Sequence, residues 1–215
     1  MGQYAFQDCT YLTEAHYLTS ASRYTTSATR YSTYVFDGCT SLERVVLNND
    51  VASFGNYFFR NCSSLSTIDI YDPDTEEITQ SEDGVATLPQ ALSYIGYGVF
   101  QNTAIREISI PRALIKLSSD VTSNTSSSSV FMDSTKLEKV ILHDALQMIG
   151  EETFMNCTAL KTIQYSTADG TIVGEEGAVT LPNSLSLIGN SAFAYSAIEK
   201  VVVPEGLAKV GLYLF

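Results

Sequence analysis

The chain has 215 residues, 45% of them hydrophobic, with 10 Phe, 13 Tyr and no Trp, so it can bury a core and is not a disordered polymer. Its formal charge is −12, from 12 Lys+Arg against 24 Asp+Glu, which sets it against phosphate backbones and anionic membranes and argues against nucleic-acid binding. No run of 18 apolar residues offers direct membrane insertion, and the start, MGQYAFQDCT, lacks the basic and apolar regions of a secretory signal.

Taken in order, the chain is an array of one unit. A phenylalanine recurs at Phe6, Phe36, Phe59, Phe100, Phe131, Phe154, Phe193 and Phe215. The intervals are 30, 23, 41, 31, 23, 39 and 22 residues, so the bare unit has about 23 residues and the longer intervals carry insertions. Three residues after the Phe stand Cys9, Cys39, Cys62, Thr103, Ser134, Cys157 and Ser196. Next comes a Leu or Ile (Leu12, Leu42, Leu65, Ile105, Leu137, Leu160, Ile198), then an alternating apolar pair: Val45/Leu47, Ile68/Ile70, Ile108/Ile110, Val140/Leu142, Ile163/Tyr165 and Val201/Val203. Period-two alternation of β-branched residues predicts a short strand in each unit. A second apolar pair follows (Val51/Phe54, Leu92/Ile95, Leu114/Leu117, Leu146/Ile149, Leu185/Ile188, Leu207/Val210), with Gly after it in most units: Gly55, Gly96, Gly150, Gly189 and Gly211. Such a Gly suits a corner that needs positive φ or a close backbone approach. One unit cannot bury its apolar side alone, but stacked units can, each strand pairing with its neighbours.

A longer period overlies the short one. Phe6 to Phe100 is 94 residues and Phe100 to Phe193 is 93, which predicts tandem duplication of a three-unit block. Residues 19–33 and 118–129 are Ser/Thr-rich, lack apolar periodicity and read as exposed loops. Residues 71–88 and 166–181 pass through turn signals and return alike, GVATLPQALSYIG against GAVTLPNSLSLIG. Each is expected to extend its strand and fold back as a hairpin or flap beyond the sheet.

Residues with reactive side chains fit the repeat better than a catalytic site. The four Cys all occupy one repeat position, where Thr and Ser also serve, so a small, weakly polar side chain at a buried turn accounts for them and free thiols are expected. No metal-ligand spacing is present. His16 and His143 are the only histidines and lie far apart in the repeat frame. The acidic stretch 69–83 alternates Asp72, Asp74 and Glu76 as a calcium loop does, but Glu77 stands where the loop needs Gly, so a solvated acidic flap is the expectation. Sequons at Asn61 and Asn156 are by-products of the repeat, and only Asn124 falls in an expected loop.

The segments IGNSAFAYSAIEKVVVP, IGYGVFQNTAIREISIP and IGEETFMNCTALKTIQY resemble the BspA-like, Treponema pallidum-type leucine-rich repeat family, whose unit reads approximately I-G-x-x-A-F-x-x-C-x-x-L-x-x-I-x-I-P. The resemblance covers nearly the whole chain outside the insertions. It implies a β-rich, right-handed leucine-rich-repeat solenoid of about seven units with a parallel sheet on its concave side. It further implies a cell-surface or secreted location and adhesion to a host or matrix protein or glycan, with no catalytic motif and no cofactor. Residues 1–215 are thus expected to form a single array, partial at Phe215 and part of a longer one.

Strand residues that alternate with the buried pair must face outward. The expected ligand-binding set on that face is Val46, Asp69, Tyr71, Ser109, Lys139, Ile141, His143, Gln164, Lys200 and Val202. Two other roles fit the same architecture: a spacer that self-associates through its sheet edges, and, more remotely, a carbohydrate-active enzyme using Asp69 and Glu107, which face outward on neighbouring units.

Overall fold

A computed structural model of the chain describes residues 2–19, 33–118 and 128–215. The two Ser/Thr-rich loops expected at 19–33 and 118–129 fall almost wholly outside these residues. The described chain contains strands and turns and no helix. The strands are β1 (Glu14–Tyr17), β2 (Arg44–Asn48), β3 (Ser53–Phe54), β4 (Thr67–Asp72), β5 (Glu77–Thr79) and β6 (Val85–Thr87). There follow β7 (Tyr94–Ile95), β8 (Glu107–Ser109), β9 (Lys116–Leu117), β10 (Lys139–His143), β11 (Met148–Ile149) and β12 (Thr162–Ser166). The last five are β13 (Ile172–Val173), β14 (Val179–Thr180), β15 (Leu187–Ile188), β16 (Val201–Val202) and β17 (Lys209–Val210).

The long sheet runs β1-β2-β4-β6-β8-β10-β12-β14-β16, every step parallel. One register row crosses it: Ala15, Val45, Ile68, Ala86, Ile108, Val140, Ile163, Val179 and Val201. These are the first members of the alternating apolar pairs, and all from Val45 to Val179 are fully buried. The row also contains Ala86 and Val179, which belong to the long insertions. Each insertion does begin as a hairpin, with β5 antiparallel on β4 and β13 antiparallel on β12. Its return strand then enters the sheet instead of lying beyond it, so the sheet has nine parallel strands where seven units were expected. The cause is in GVATLP and GAVTLP: Ala86/Leu88 and Val179/Leu181 repeat the spacing of a strand pair and are buried like one.

The phenylalanines form the other spine. All eight rings stack on their neighbours at centroid distances of 5.3–5.7 Å and interplanar angles of 1–14°. The six inner rings are essentially inaccessible, whereas Phe6 and Phe215 are partly exposed. Near-parallel rings at this spacing bury large apolar faces without voids. The backbone repeats with them: the N–H of Phe36 donates to Phe58, of Phe131 to Thr153 and of Phe154 to Ala192, each at 2.8–2.9 Å. Two left-handed corners flank every complete unit. One lies two residues before the Phe (Tyr4, Tyr34, Tyr57, Glu152, Ser191), the other two after it (Asp8, Asn61, Asn102, Asp133, Asn156). Asn and Asp tolerate this conformation best of the non-glycine residues, which explains the Asn-Cys pairs that read as sequons.

The glycines after the second apolar pair are there for close approach and not for φ. A Cβ on Gly189 would lie 2.3 Å from the Glu151 nitrogen of the neighbouring unit. The cysteine position is a hydrogen-bond column. Cys39 Sγ donates to the Phe6 carbonyl at 3.0 Å, Cys62 Sγ to Phe36 at 3.0 Å, Ser134 Oγ to Phe100 at 2.8 Å and Cys157 Sγ to Phe131 at 3.1 Å. A small donor is what the position selects, so Cys and Ser alternate freely. All four cysteines are free; three are buried, and Cys9, against expectation, is exposed because no described unit packs over that end of the column. Burial pushes the Cys62 and Cys157 thiols upward, away from the reactive thiolate.

Candidate functional site: a polar groove between the two insertions

The outward face of the long sheet is narrower than the sequence suggested. Of the ten residues expected there, Ser109, Lys200 and Val202 are exposed, and Tyr71, Lys139 and Ile141 are half-buried. Val46, Asp69, His143 and Gln164 are buried, so a ligand cannot reach them in this structure. Each of the four has a local reason. Asp69 accepts from Arg44 Nη1 at 2.7 Å and from the Ser81 N–H at 2.8 Å, so the returning insertion caps it. Val46 is paired in register with Asp69, and the Arg44 guanidinium is drawn across beside it. Gln164 Nε2 donates to the Gly174 carbonyl at 3.1 Å, the second insertion covering it in the same way.

His143 is a structural link between units. Its Nε2–H donates to the Leu114 carbonyl at 3.1 Å, and its Nδ1 accepts from the Ala145 N–H at 3.3 Å. Both nitrogens are satisfied only in the neutral ring. Burial lowers its pKa, and a second proton on Nδ1 would face the Ala145 N–H.

The inserted strands add Thr87 and Thr180 to the outward columns, which spacing from the Phe had missed. They also bring two acidic return loops onto the N-terminal rim of the face. In the first loop, Asp83 pairs with Arg44 Nη2 at 3.0 Å and the Gly84 N–H donates to Thr67 Oγ1 at 3.3 Å. In the second, Glu176 pairs with Lys139 Nζ at 2.6 Å and the Gly177 N–H donates to Thr162 Oγ1 at 3.0 Å. Both glycines have positive φ, +87° and +75°, which turns each loop sharply into its return strand.

Between the loops lies a polar groove of about 690 Å³. One wall is Glu82 to Val85 with Arg106 and Glu107; the other is Glu138, Lys139, Thr158, Ala159, Lys161, Thr162 and Glu176. A smaller hollow of about 470 Å³, lined by Glu43, Arg44, Ser64, Ser66, Thr67 and Asp83, occupies the matching place on the far side of the first loop. The groove thus repeats with the duplication, and the second copy is wider because it opens onto the junction between the blocks. The lysines hold the Glu175 and Glu176 carboxyls below the ordinary carboxylate range, Lys200 for the first and Lys139 for the second. Asp69 and Glu107, the carboxylates expected to converge for glycoside chemistry, do not meet: Asp69 is sealed by Arg44 and Ser81, and only Glu107 lines the groove. Sequence reasoning missed the rim. The acid-acid-Gly triplet at the end of each insertion, Glu82-Asp83-Gly84 and Glu175-Glu176-Gly177, was the available signal.

A row of near-identical β-units, each closed by a Phe corner and joined through one parallel sheet, defines a leucine-rich repeat array. The chain belongs to the BspA type leucine-rich repeat family, whose model matches six copies over residues 2–129, 124–176 and 177–215. Nothing among the curated proteins matches. Among solved structures it resembles a leucine-rich repeat protein of Treponema pallidum, with 18% identity, a TM-score of 0.59, and coverage of 91% of this chain and 68% of that one. A leucine rich cell surface protein of Faecalibacterium prausnitzii is similar at 16% identity and a TM-score of 0.54, covering 94% of this chain and 44% of that one. A leucine-rich repeat protein of Bacteroides ovatus matches at 18% identity and a TM-score of 0.49, covering 98% of this chain and 54% of that one. The chain therefore spans about half the length of the Bacteroides protein and less than half of the Faecalibacterium one. Among the described residues no helix is long and apolar enough to cross a membrane.

Proposed function

We propose that the chain is a non-enzymatic recognition module of a cell-surface or secreted protein, holding a host or matrix protein or glycan in the groove between its insertions. The adjoining accessible residues of the sheet face, exposed Ser109 and half-buried Lys139 and Ile141 first among them, extend the contact. The observation that carries this reading is the groove itself. It holds about 690 Å³, its walls are polar, and the acidic ends of the two hairpin insertions stand on either side of it. Repeat arrays use extended surfaces of this kind for binding. A protein of similar fold bears a cell-surface name, which supports the location.

The test is binding of the purified chain to an array of matrix proteins and glycans at physiological salt, beside two variants. Ala159→Trp fills the groove from its far wall, and Ile141→Lys alters the sheet face. Saturable binding lost with Ala159→Trp supports the groove. Loss with Ile141→Lys alone moves the site onto the sheet, and no binding at all rejects the recognition reading.

A further inference from the structure

We propose that the groove takes a lysine- or arginine-bearing segment of a protein partner, its cationic head held between Glu82 and Glu107. The inference rests on the groove being a recognition site and adds the chemistry of what it recognises. Two carboxylates alone would mark no site. The chain's own duplicate marks this one, because at the equivalent place in the second block the protein has placed an ammonium group.

The correspondence runs residue by residue. Glu82-Asp83-Gly84 matches Glu175-Glu176-Gly177, and in both loops the second acid pairs with a cation on the preceding block strand, Asp83 with Arg44 and Glu176 with Lys139. The first acid is treated differently. Glu175 accepts from Lys200 Nζ at 2.9 Å. Lys200 precedes Val201, which pairs in register with Val179, so it lies beside Ala178. In the first block the residue beside the equivalent Val85 is Glu107. The place of a lysine is thus taken by a second carboxylate, and Glu82 and Glu107 both line the groove.

The neighbouring cations do not fill the gap. Arg106 turns to Glu138 at 3.4 Å, Lys139 is drawn to Glu176, and Lys161 lies on the opposite wall and pairs with neither Glu82 nor Glu107. Neither Glu82 nor Glu107 has a cationic partner among the described residues. A cation entering the groove meets both carboxylates, each attracting it. Among the described residues no three His, Cys, Asp or Glu converge as metal ligands, so a single ammonium or guanidinium head fits better than a metal ion. A volume of about 690 Å³ accommodates such a side chain with a short stretch of its backbone, and the net charge of −12 steers basic segments toward the protein.

The probe is an end-blocked, fluorescein-labelled peptide, Gly-Ser-Gly-Lys-Gly-Ser-Gly, followed by anisotropy at low and physiological salt. Saturable binding that weakens with salt is expected from the unmodified protein. Glu107→Lys, which places the chain's own ammonium where Lys200 provides one in the second block, should weaken binding at least ten-fold while leaving the melting temperature equal or higher. Acetylating the peptide lysine should do the same. Absence of saturable binding overturns the proposal, as does equal binding by Glu107→Lys or by the acetylated peptide. If an array ligand is lost with Ala159→Trp but kept by Glu107→Lys, the groove stands as the recognition site and the cationic head falls.

Discussion

The two three-unit blocks of this molecule share a scaffold and differ in what fills it. Phe36, Cys39, Phe59 and Cys62 in the first block answer to Phe131, Ser134, Phe154 and Cys157 in the second, each 95 residues on. Their rings stack at nearly the same spacing and their donors reach the same carbonyl of the preceding unit. Around this common frame the first block is aromatic and ionic. Tyr4, Tyr34, Tyr57 and Tyr97 form a ladder with centroids 4.9–5.0 Å apart, and Arg60 lies 4.2 Å from the Tyr57 ring centroid. Arg60 also forks onto buried Asp37, Nε to Oδ1 at 2.8 Å and Nη2 to Oδ2 at 2.7 Å. The second block has Met132 and Met155 in the places of Asp37 and Arg60, and no tyrosine ladder. The lesson is that stacking fixes the Phe, Leu and Cys columns, while positions at the corners and rim are free to take different chemistry.

The largest effect expected from breaking this comparison is at the ion pair. Asp37→Ala strands a guanidinium against buried surface and should cost toward the lower end of roughly 3–5 kcal/mol, because the Arg60 side chain keeps 29% of its exposure. Urea denaturation reads this. The double change Asp37→Met with Arg60→Met, which copies the second block, should return stability to within about 1 kcal/mol of the parent or exceed it, since a packed apolar pair replaces a buried ion pair without loss.

A smaller effect separates His143 from its counterpart Asn48. Asn48 Nδ2 donates to the Leu18 carbonyl at 2.9 Å and its Oδ1 accepts from the Asp50 N–H at 2.8 Å, the same two bonds that His143 makes in the second block. Only the histidine titrates. Its folded pKa lies below the unfolded value of about 6.5, so the unfolded chain binds the proton first. The contribution is complete above that pH and is lost as pH falls through it. The melting temperature should therefore drop between pH 7.5 and pH 5.5, before the carboxylates titrate. His143→Asn should flatten that dependence at little cost at pH 7.5. An unchanged slope in the variant would reject the assignment.

How much of this was readable in the sequence follows from the same division. The Phe column, the strand row from Val45 to Val201 and the cysteine position were legible because every unit must present the same side chain to the same neighbour. Ala86 and Val179 were missed as sheet members because no Phe, Cys and Leu precede them at the usual spacing; only the two similar return segments betrayed them. The reading of Val46, Asp69, His143 and Gln164 as accessible failed for a different reason. Alternation says which way a side chain leaves the strand, not what folds over it, and the covering groups at Ser81 and Gly174 come from aperiodic loops. The groove was illegible in the same way, since it forms between segments some 90 residues apart.

The claim that one residue, Lys200 against Glu107, separates an occupied place in the second block from an open one in the first is most directly tested by titration calorimetry. The same lysine peptide would be titrated into Lys200→Glu, which puts in the second block the carboxylate that Glu107 is in the first. Two equivalents bound, against one for the parent, are predicted, with the combination of Lys200→Glu and Glu107→Lys returning to one. A Lys200→Glu protein that still binds a single equivalent contradicts the account.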